Sequence, residues 1–249
     1  MVNLDFIQDN SLKEKLKQTI EKIEIAEKNN RSVDTDFLDP YERSIIKTTI
    51  GHGLEFYEDG GYEEAERQVI QIYPPYIERT DALTILKITS KNKISHREIL
   101  GSVLGLGLVH EKIGDIVANG DFEHYIIIKN ELANYIHSNL EKVGNNKICT
   151  SFADKVVREE KKFTFKEIVV KSKRLDLFLS KTFSIKRDLT KSYIENGFCK
   201  VNFAPTKSAS YLLSEGDLVS LRGYGRVYYD EDLGTTKKGN YFIRVKFPI

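Results

Sequence analysis

Residues 174–203 read RLDLFLSKTFSIKRDLTKSYIENGFCKVNF. Arg174-Leu175-Asp176, continued by Leu177-Phe178-Leu179-Ser180-Lys181, predicts an amphipathic helix from about Arg174 to Lys181. A second helix is expected from about Lys186 to Glu195, where Gly197 breaks the pattern. Strands are expected at Cys199–Phe203, Leu218–Arg222 and Tyr241–Phe247, the last after a loop Asp230–Gly239. The cations are placed to suit phosphates. Lys173 and Arg174 start the first helix, and Arg187 and Lys191 lie four apart on one face of the second, next to Lys186. Lys200, Asn202 and Lys207 flank the strand after Gly197, and Arg222 and Arg226 bracket Gly223-Tyr224-Gly225. Several cations on one small surface release condensed counterions together when they meet a polyanion. Tyr224, Tyr228 and Tyr229 are candidate stacking partners for unpaired bases.

Charge counts over the whole chain support a polyanionic partner for this region. The 249 residues carry a formal net charge of only +1, but residues 161–249 hold 18 basic and 9 acidic side chains, a net of +9. Residues 1–160 hold 20 basic and 28 acidic, a net of −8. At 40% hydrophobic and 30% charged residues a packed core is expected and wholesale disorder is not. Apolar runs such as Tyr125–Ile128 and Ile168–Val170 are far too short to span a bilayer. The start MVNLDFIQDN lacks the basic and apolar regions of a signal peptide, so a cytoplasmic protein is expected. Cys149 and Cys199 lie fifty residues apart without metal-type spacing and read as two reduced thiols.

Working outward, residues 155–166 are charge-dense and read as a linker into a strand Phe165–Val170. Before it, a strand Leu83–Thr89 and a helix His96–Leu106 capped by Ser95 are expected. The strands Ile113–Ala118 and Phe122–Ile128 flank the turn Asn119-Gly120-Asp121. Asn130 is expected to cap a helix running to Val143, followed by a strand Lys147–Ser151. This β-α-β-β-α-β order is the ferredoxin-like, or RNA-recognition-motif-like, arrangement. Residues 11–29 predict a helix capped by Ser11, and Asp39-Pro40 starts another that the Gly51/Gly53 pair ends. Strands Leu54–Tyr57 and Gln68–Tyr73 flank Asp59-Gly60-Gly61 and a short acidic helix Tyr62–Glu66. The fold class is therefore α+β in three small domains, with boundaries 1–80, 81–154 and 171–249 and a linker with lead-in strand at 155–170.

Other chemistries find little footing. Gly105-Leu106-Gly107 lacks the Gly-Lys-Ser/Thr ending of a phosphate loop and the spacing of a dinucleotide fingerprint. It reads as a helix end and a tight turn into a strand. The histidines 52, 96, 110, 124 and 137 are scattered, without a cysteine or carboxylate at ligand spacing, so no metal and no cofactor are expected. No nucleophile elbow is present. Asp176 suits the first turn of a helix, where a carboxylate meets the positive end of the dipole.

The order Arg174-Leu175-Asp176, Lys186-Arg187, Lys191, Ile194, Gly197, Val201-Asn202 and Glu215-Gly216-Asp217 resembles the RNA-binding domain named after ribosomal protein S-four. The chain departs from that pattern at Lys186 for Ser, Cys199 for Val and Phe203 for the Gly after Asn. Further blocks resemble the bacterial YlmH family across nearly the whole chain: Phe37-Leu38-Asp39-Pro40, Gly60-Gly61-Tyr62-Glu63-Glu64-Ala65-Glu66-Arg67, Ile72-Tyr73-Pro74, Arg97-Glu98-Ile99-Leu100-Gly101, Gly105-Leu106-Gly107, Glu111-Lys112-Ile113-Gly114-Asp115-Ile116 and Arg222-Gly223-Tyr224-Gly225-Arg226. His110 stands where that family usually has Arg.

The resemblance implies an N-terminal α+β domain, a central RNA-recognition-like domain and a C-terminal S-four-type domain. It implies a non-catalytic, cytoplasmic factor of translation or ribosome-associated quality control. Its partners would be ribosomal RNA of the large subunit, tRNA or peptidyl-tRNA, and ribosomal proteins; it would act as a monomer and off the membrane. The loop near Arg97 and Lys112 would be a secondary RNA contact. Two alternatives stay open from the residues alone. One is an RNA-modifying enzyme, for example pseudouridine-synthase-like, with its active site in the N-terminal or central domain, since Arg174-Leu175-Asp176 runs into a helix and too few residues follow Arg222 for a catalytic module there. The other is a cell-division adaptor whose RNA binding is incidental.

Overall fold

The computed structural model describes residues 3–7 and 9–248, which fall into two compact units, Met1–Glu159 and Glu160–Ile249. In the first unit, helix α1 (Asn10–Lys28) buries Leu16, Ile20 and Ile23. Its cap is Asp9 and not the expected Ser11: the Asp9 carboxylate accepts from the Ser11 and Leu12 amides, which puts Ser11 inside the first turn. After β1 (Val33–Asp34), helix α2 (Pro40–Lys47) opens with a capping box. Asp39 accepts from the Glu42 amide, and Glu42 accepts from the Asp39 amide. The helix ends before Gly51 and Gly53, because the Thr48 and Thr49 hydroxyls fold back onto the Ile45 and Ile46 carbonyls.

Strands β2 (Glu55–Asp59) and β3 (Val69–Tyr73) join β1 in an antiparallel sheet of order β1-β3-β2. Between them, Tyr62–Glu66 forms turns and no helix. The Glu66 and Arg67 amides donate to the Asp115 carboxylate at 2.7 and 3.2 Å, which takes the local donors away from a helical ladder.

Next come β4 (Leu83–Ser90), α3 (His96–Leu104), β5 (Ile113–Ala118), β6 (Glu123–Lys129), α4 (Asn130–Asn139), β7 (Lys142–Val143) and β8 (Asn146–Ala153). They build an antiparallel sheet of order β5-β6-β4-β8-β7. Ser95 and Glu98 form the capping box of α3. Helix α4 is shorter than its apolar spacing suggests, because the chain leaves helical geometry at Leu140 and turns at Gly144 (φ +56°) into the β7–β8 hairpin. Lys129 holds the cap position of α4, while Asn130 bonds the Asp81 carbonyl and the Thr84 hydroxyl.

One face of the five-stranded sheet, with Leu86, Ile88, Ile126 and Ile128, packs on Ile99 and Val103 of α3 and Ile136 of α4. The opposite face presents Ile85, Tyr125 and Ile127 to Phe37 and Val69 from the N-terminal part. The approach is tight at Gly114, where a Cβ would stand 2.6 Å from the Phe37 ring. Residues 1–80 and 81–154, distinct in sequence pattern, thus share a buried cluster within one unit.

The second unit contains β9 (Phe163–Val170), α5 (Leu175–Phe183), α6 (Arg187–Glu195), β10 (Cys199–Val201), β11 (Ala204–Thr206), β12 (Leu218–Leu221), β13 (Gly225–Thr235) and β14 (Tyr241–Pro248). The strands make one antiparallel sheet of order β11-β10-β12-β13-β14-β9. Phe178 and Leu179 of α5 and Ile194 of α6 cover Val219, Val227, Tyr229, Ile243 and Val245. Much of the segment 230–239, expected as a loop, is strand: β13 runs on to Thr235 against β14, absorbing its polar residues through register shifts at Tyr229/Glu231 and Asp232/Gly234. The expected strand Cys199–Phe203 stops at Val201. Asn202 (φ +49°) and Phe203 (φ +67°) make the two-residue turn of the β10–β11 hairpin.

Candidate nucleic-acid interface

The N-terminus of α5 is pinned to a loop, since the Leu175 and Asp176 amides donate to the Tyr211 and Ala209 carbonyls. Asp176 is thereby fully buried, and two guanidiniums close over it. Arg174 donates from Nε to Oδ1 at 3.0 Å and from Nη2 to Oδ2 at 3.2 Å, and Arg187 donates from Nε to Oδ2 at 2.9 Å. Burial pushes the Asp176 carboxyl up. The hydrogen bonds and charges of Arg174 and Arg187 outweigh that and hold it below the usual carboxylate range. One carboxylate thus orients two cations of which Arg187 stays half exposed. Lys186, at the cap position of α6, is exposed, and Lys191 lies one turn beyond Arg187. The helices therefore bring together Arg174, Lys186, Arg187 and Lys191.

Lys173 does not join them. Its ammonium pairs with Asp232 and lies 5.6 and 5.3 Å from the centres of the Tyr229 and Tyr241 rings. Tyr229, expected as a stacking residue, is a core side chain: it is fully buried, stacks on Phe178 at 5.7 Å and donates its hydroxyl to Asp232. Tyr228 is half-buried, edge-on to Phe163 at 6.1 Å.

Lys200 is elsewhere again. It stands in register with Ser220 of β12 and Arg226 of β13, on the sheet face away from the helices, because the alternate residues Val201, Val219 and Val227 face the core. The Arg226 guanidinium lies 5.5 Å from the centre of the Phe203 ring. Asn202 is committed to its turn: Nδ2 donates to Asp217 at 2.7 Å, and Oδ1 accepts from the Leu218 amide at 2.9 Å. Lys207 runs beside Gly197, where a Cβ would be 3.5 Å from its Cε.

The β12–β13 turn forms a third cluster. Tyr224 packs on Phe183 and Tyr193 at 5.7 Å each and keeps an exposed edge. Arg222 lies 5.5 Å from the Phe198 ring centre.

In the first unit, Arg97 is exposed in the first turn of α3. Lys112 is bound by Asp36 at 3.0 Å and Glu131 at 3.4 Å, and Lys129 shares Asp36 at 3.4 Å. The charge of Lys112 is thus answered within the fold. Arg67 donates to the Ile113, Phe37 and His110 carbonyls and has a packing role.

The dual hold on Asp176 and the contact of Phe203 with Arg226 are not readable in full from the chain's local pattern. The first had a weak signal in the Arg-Leu-Asp spacing. The second had one in an aromatic residue standing where an Asn-led turn favours Gly. Among the described residues, no group of three or more His, Cys, Asp or Glu side chains is placed to hold a metal ion. Cys149 is exposed and Cys199 buried, both free thiols; burial pushes the Cys199 thiol up to about 12.

Known proteins give this geometry a context. Residues 11–77 match the family model "YlmH, N-terminal", and residues 81–155 match "Putative RNA-binding domain in YlmH". The chain is 30% identical over 245 residues to the "Ribosome-associated protein quality control protein P2" of Bacillus subtilis (strain 168), with 91% of each chain covered. In fold it is similar to the solved "Cell division protein ylmH from Streptococcus pneumoniae", at a TM-score of 0.50 and 22% identity over 59% of this chain and 93% of that one.

Proposed function

The chain belongs to the YlmH family, and from that premise we propose that it is a non-catalytic RNA-binding factor. It docks on ribosomal RNA of the large subunit and on tRNA or peptidyl-tRNA, in translation or in the quality control of stalled ribosomes. The observation that carries this reading is the pair of arginines, Arg174 and Arg187, fixed on the buried Asp176 beside Lys186 and Lys191. Cations held rigid in this way meet phosphates without first losing side-chain freedom. The name of the Bacillus subtilis relative supports the ribosomal setting.

The C-terminal unit is read as the S-four-type module with β9 as its lead-in strand, and residues 1–80 and 81–154 as two further modules that orient the complex. Asp176, whose Arg-Leu-Asp setting invites a catalytic role, is sealed from solvent by two guanidiniums, which supports a purely structural one. Among the described residues, no helix is long and apolar enough to cross a membrane. The expected workplace is the cytoplasm.

The test is the double variant Lys186→Glu/Lys191→Glu in the full chain, assayed by co-sedimentation with purified large ribosomal subunits. These lysines are better targets than Arg187, whose loss would also disturb Asp176. Binding is expected to fall more than tenfold at moderate salt, with an unchanged thermal midpoint. Parental affinity in the variant would remove this surface from the interface. Crosslinking in living cells, followed by sequencing, is expected to recover large-subunit rRNA and tRNA.

A further inference from the structure

The helices cover only one face of the second unit's sheet; the other carries an arrangement that packing does not explain. Phe203 occupies the second central position of the β10–β11 turn at φ +67°. A bulky side chain there is strained, and Gly is the residue such a turn favours. The strain is not repaid by burial, since Phe203 is only partly covered and lies outside the core cluster. Instead the ring meets the Arg226 guanidinium at 5.5 Å, and Arg226 is in register with Ser220 and Lys200 across β13, β12 and β10.

The next row on this face continues the alternation. Leu218, Tyr228, Lys246 and Phe165 are paired across β12, β13, β14 and β9. Phe165 is 60% exposed, and Lys246 lies 5.5 Å from the centre of the Tyr228 ring. Asp230 pairs with Lys246 at 2.8 Å, Glu231 pairs with Arg244 at 2.6 Å, and Asp217 accepts from the Asn202 side-chain amide and the Ser214 N–H.

We propose that this outer sheet face is a second RNA surface, which stacks unpaired bases on Phe203 and Phe165 and meets their phosphates with Lys200 and Arg226. Aromatic rings set between cations suit a chain of planar bases joined by anions. The two rings share this face with the cations Arg226 and Lys246, a mixture closer to what a polyanion meets than to the charge-depleted core of a protein interface. Backbone strain retained at a half-buried aromatic outside the core is the kind of cost found where a side chain meets a ligand. The proposal rests on the RNA-binding reading above but concerns the opposite face and single-stranded RNA.

The test uses the full chain with two fluorescein-labelled probes, a twelve-nucleotide oligouridine and a twelve-base-pair RNA duplex. The variants are Phe203→Gly and Phe165→Ala. Phe203→Gly supplies the residue its backbone favours, and Phe165 is exposed, so both variants fold. Each is expected to weaken oligouridine binding about tenfold, as the loss of one stacked base does, and to leave duplex binding within about twofold.

Parental oligouridine affinity in both variants, or no oligouridine binding by the parent, would overturn the proposal. So would a self-association seen by sedimentation that Phe165→Ala abolishes, because the face would then be a protein interface. The two readings fail separately. If Lys186→Glu/Lys191→Glu still loses the ribosomal subunit while the phenylalanine variants bind normally, only the sheet-face surface falls.

Discussion

Asp176 shows how one side chain sets the geometry of a surface it does not itself reach. A buried carboxylate without partners would be strongly unfavourable, so Arg174 and Arg187 are held in place by its need for donors. Asp176→Asn keeps the shape and removes the charge, and it is expected to cost about 2 kcal/mol at neutral pH, measured by denaturant unfolding. Because the folded-state carboxyl is held below its ordinary value, its contribution is complete above the unfolded pKa of about 4. It is lost as pH falls through the folded value. The gap between parent and variant should therefore shrink below about pH 4; a gap constant through that range would show that the ion pairs are not its source. The aspartate was legible as a first-turn carboxylate. Its link to Arg187 was not, because that depends on how two helices cross.

At the scale of elements, most helices and strands follow local chemistry, and the departures have local causes. The Asp39-Pro40 start of α2 was readable because cap and proline are adjacent in sequence. The structure adds that Glu42 also receives both bonds from Lys15 of α1, at 2.8 Å each, so the cap ties two helices. Asp39→Ala is expected to destabilise the first unit by about 1 kcal/mol, seen as a lower thermal midpoint. An unchanged midpoint would mean that packing alone holds α2. The ends of α2 and α4 and the turns at Tyr62–Glu66 eluded periodicity. In each case a competing hydrogen bond or a neighbouring hairpin captured the chain. The extension of β13 eluded it too, since polar residues such as Asp230 and Asp232 look like loop until β14 lies alongside.

For the whole molecule, the charge imbalance is the feature with the longest reach. The basic C-terminal residues form one compact unit with their own core, so the positive charge is concentrated on a single folded body. The affinity for RNA should then fall linearly with salt on logarithmic axes. Lys186→Ala and Lys191→Ala are each expected to reduce that slope by about 1, measured by RNA titration at several salt concentrations. Slopes identical to the parent's would mean that these lysines do not meet phosphates. Lys173 and Lys112 should leave the slope unchanged when replaced, because Asp232 and Asp36 already answer their charges.

The helix-helix-strand order of residues 174–203, the β-α-β-β-α-β order, the α2 and α3 starts and the charge division were all determined by the sequence, because each depends on residues close in the chain or on plain counts. Which cations share a surface was decided only by the tertiary structure. Arg174, Lys186, Arg187 and Lys191 lie at the two helix starts, Lys200 and Arg226 share a row of the opposite sheet face across Ser220, and Lys173 turns to Asp232. Tyr229 and Tyr228 are neighbours in sequence but face opposite sides of a strand, so one is core and the other lies on the outer face. Sequence proximity carries no sign for burial. That sign is set by which face of the sheet the helices cover, and only the folded chain decides it.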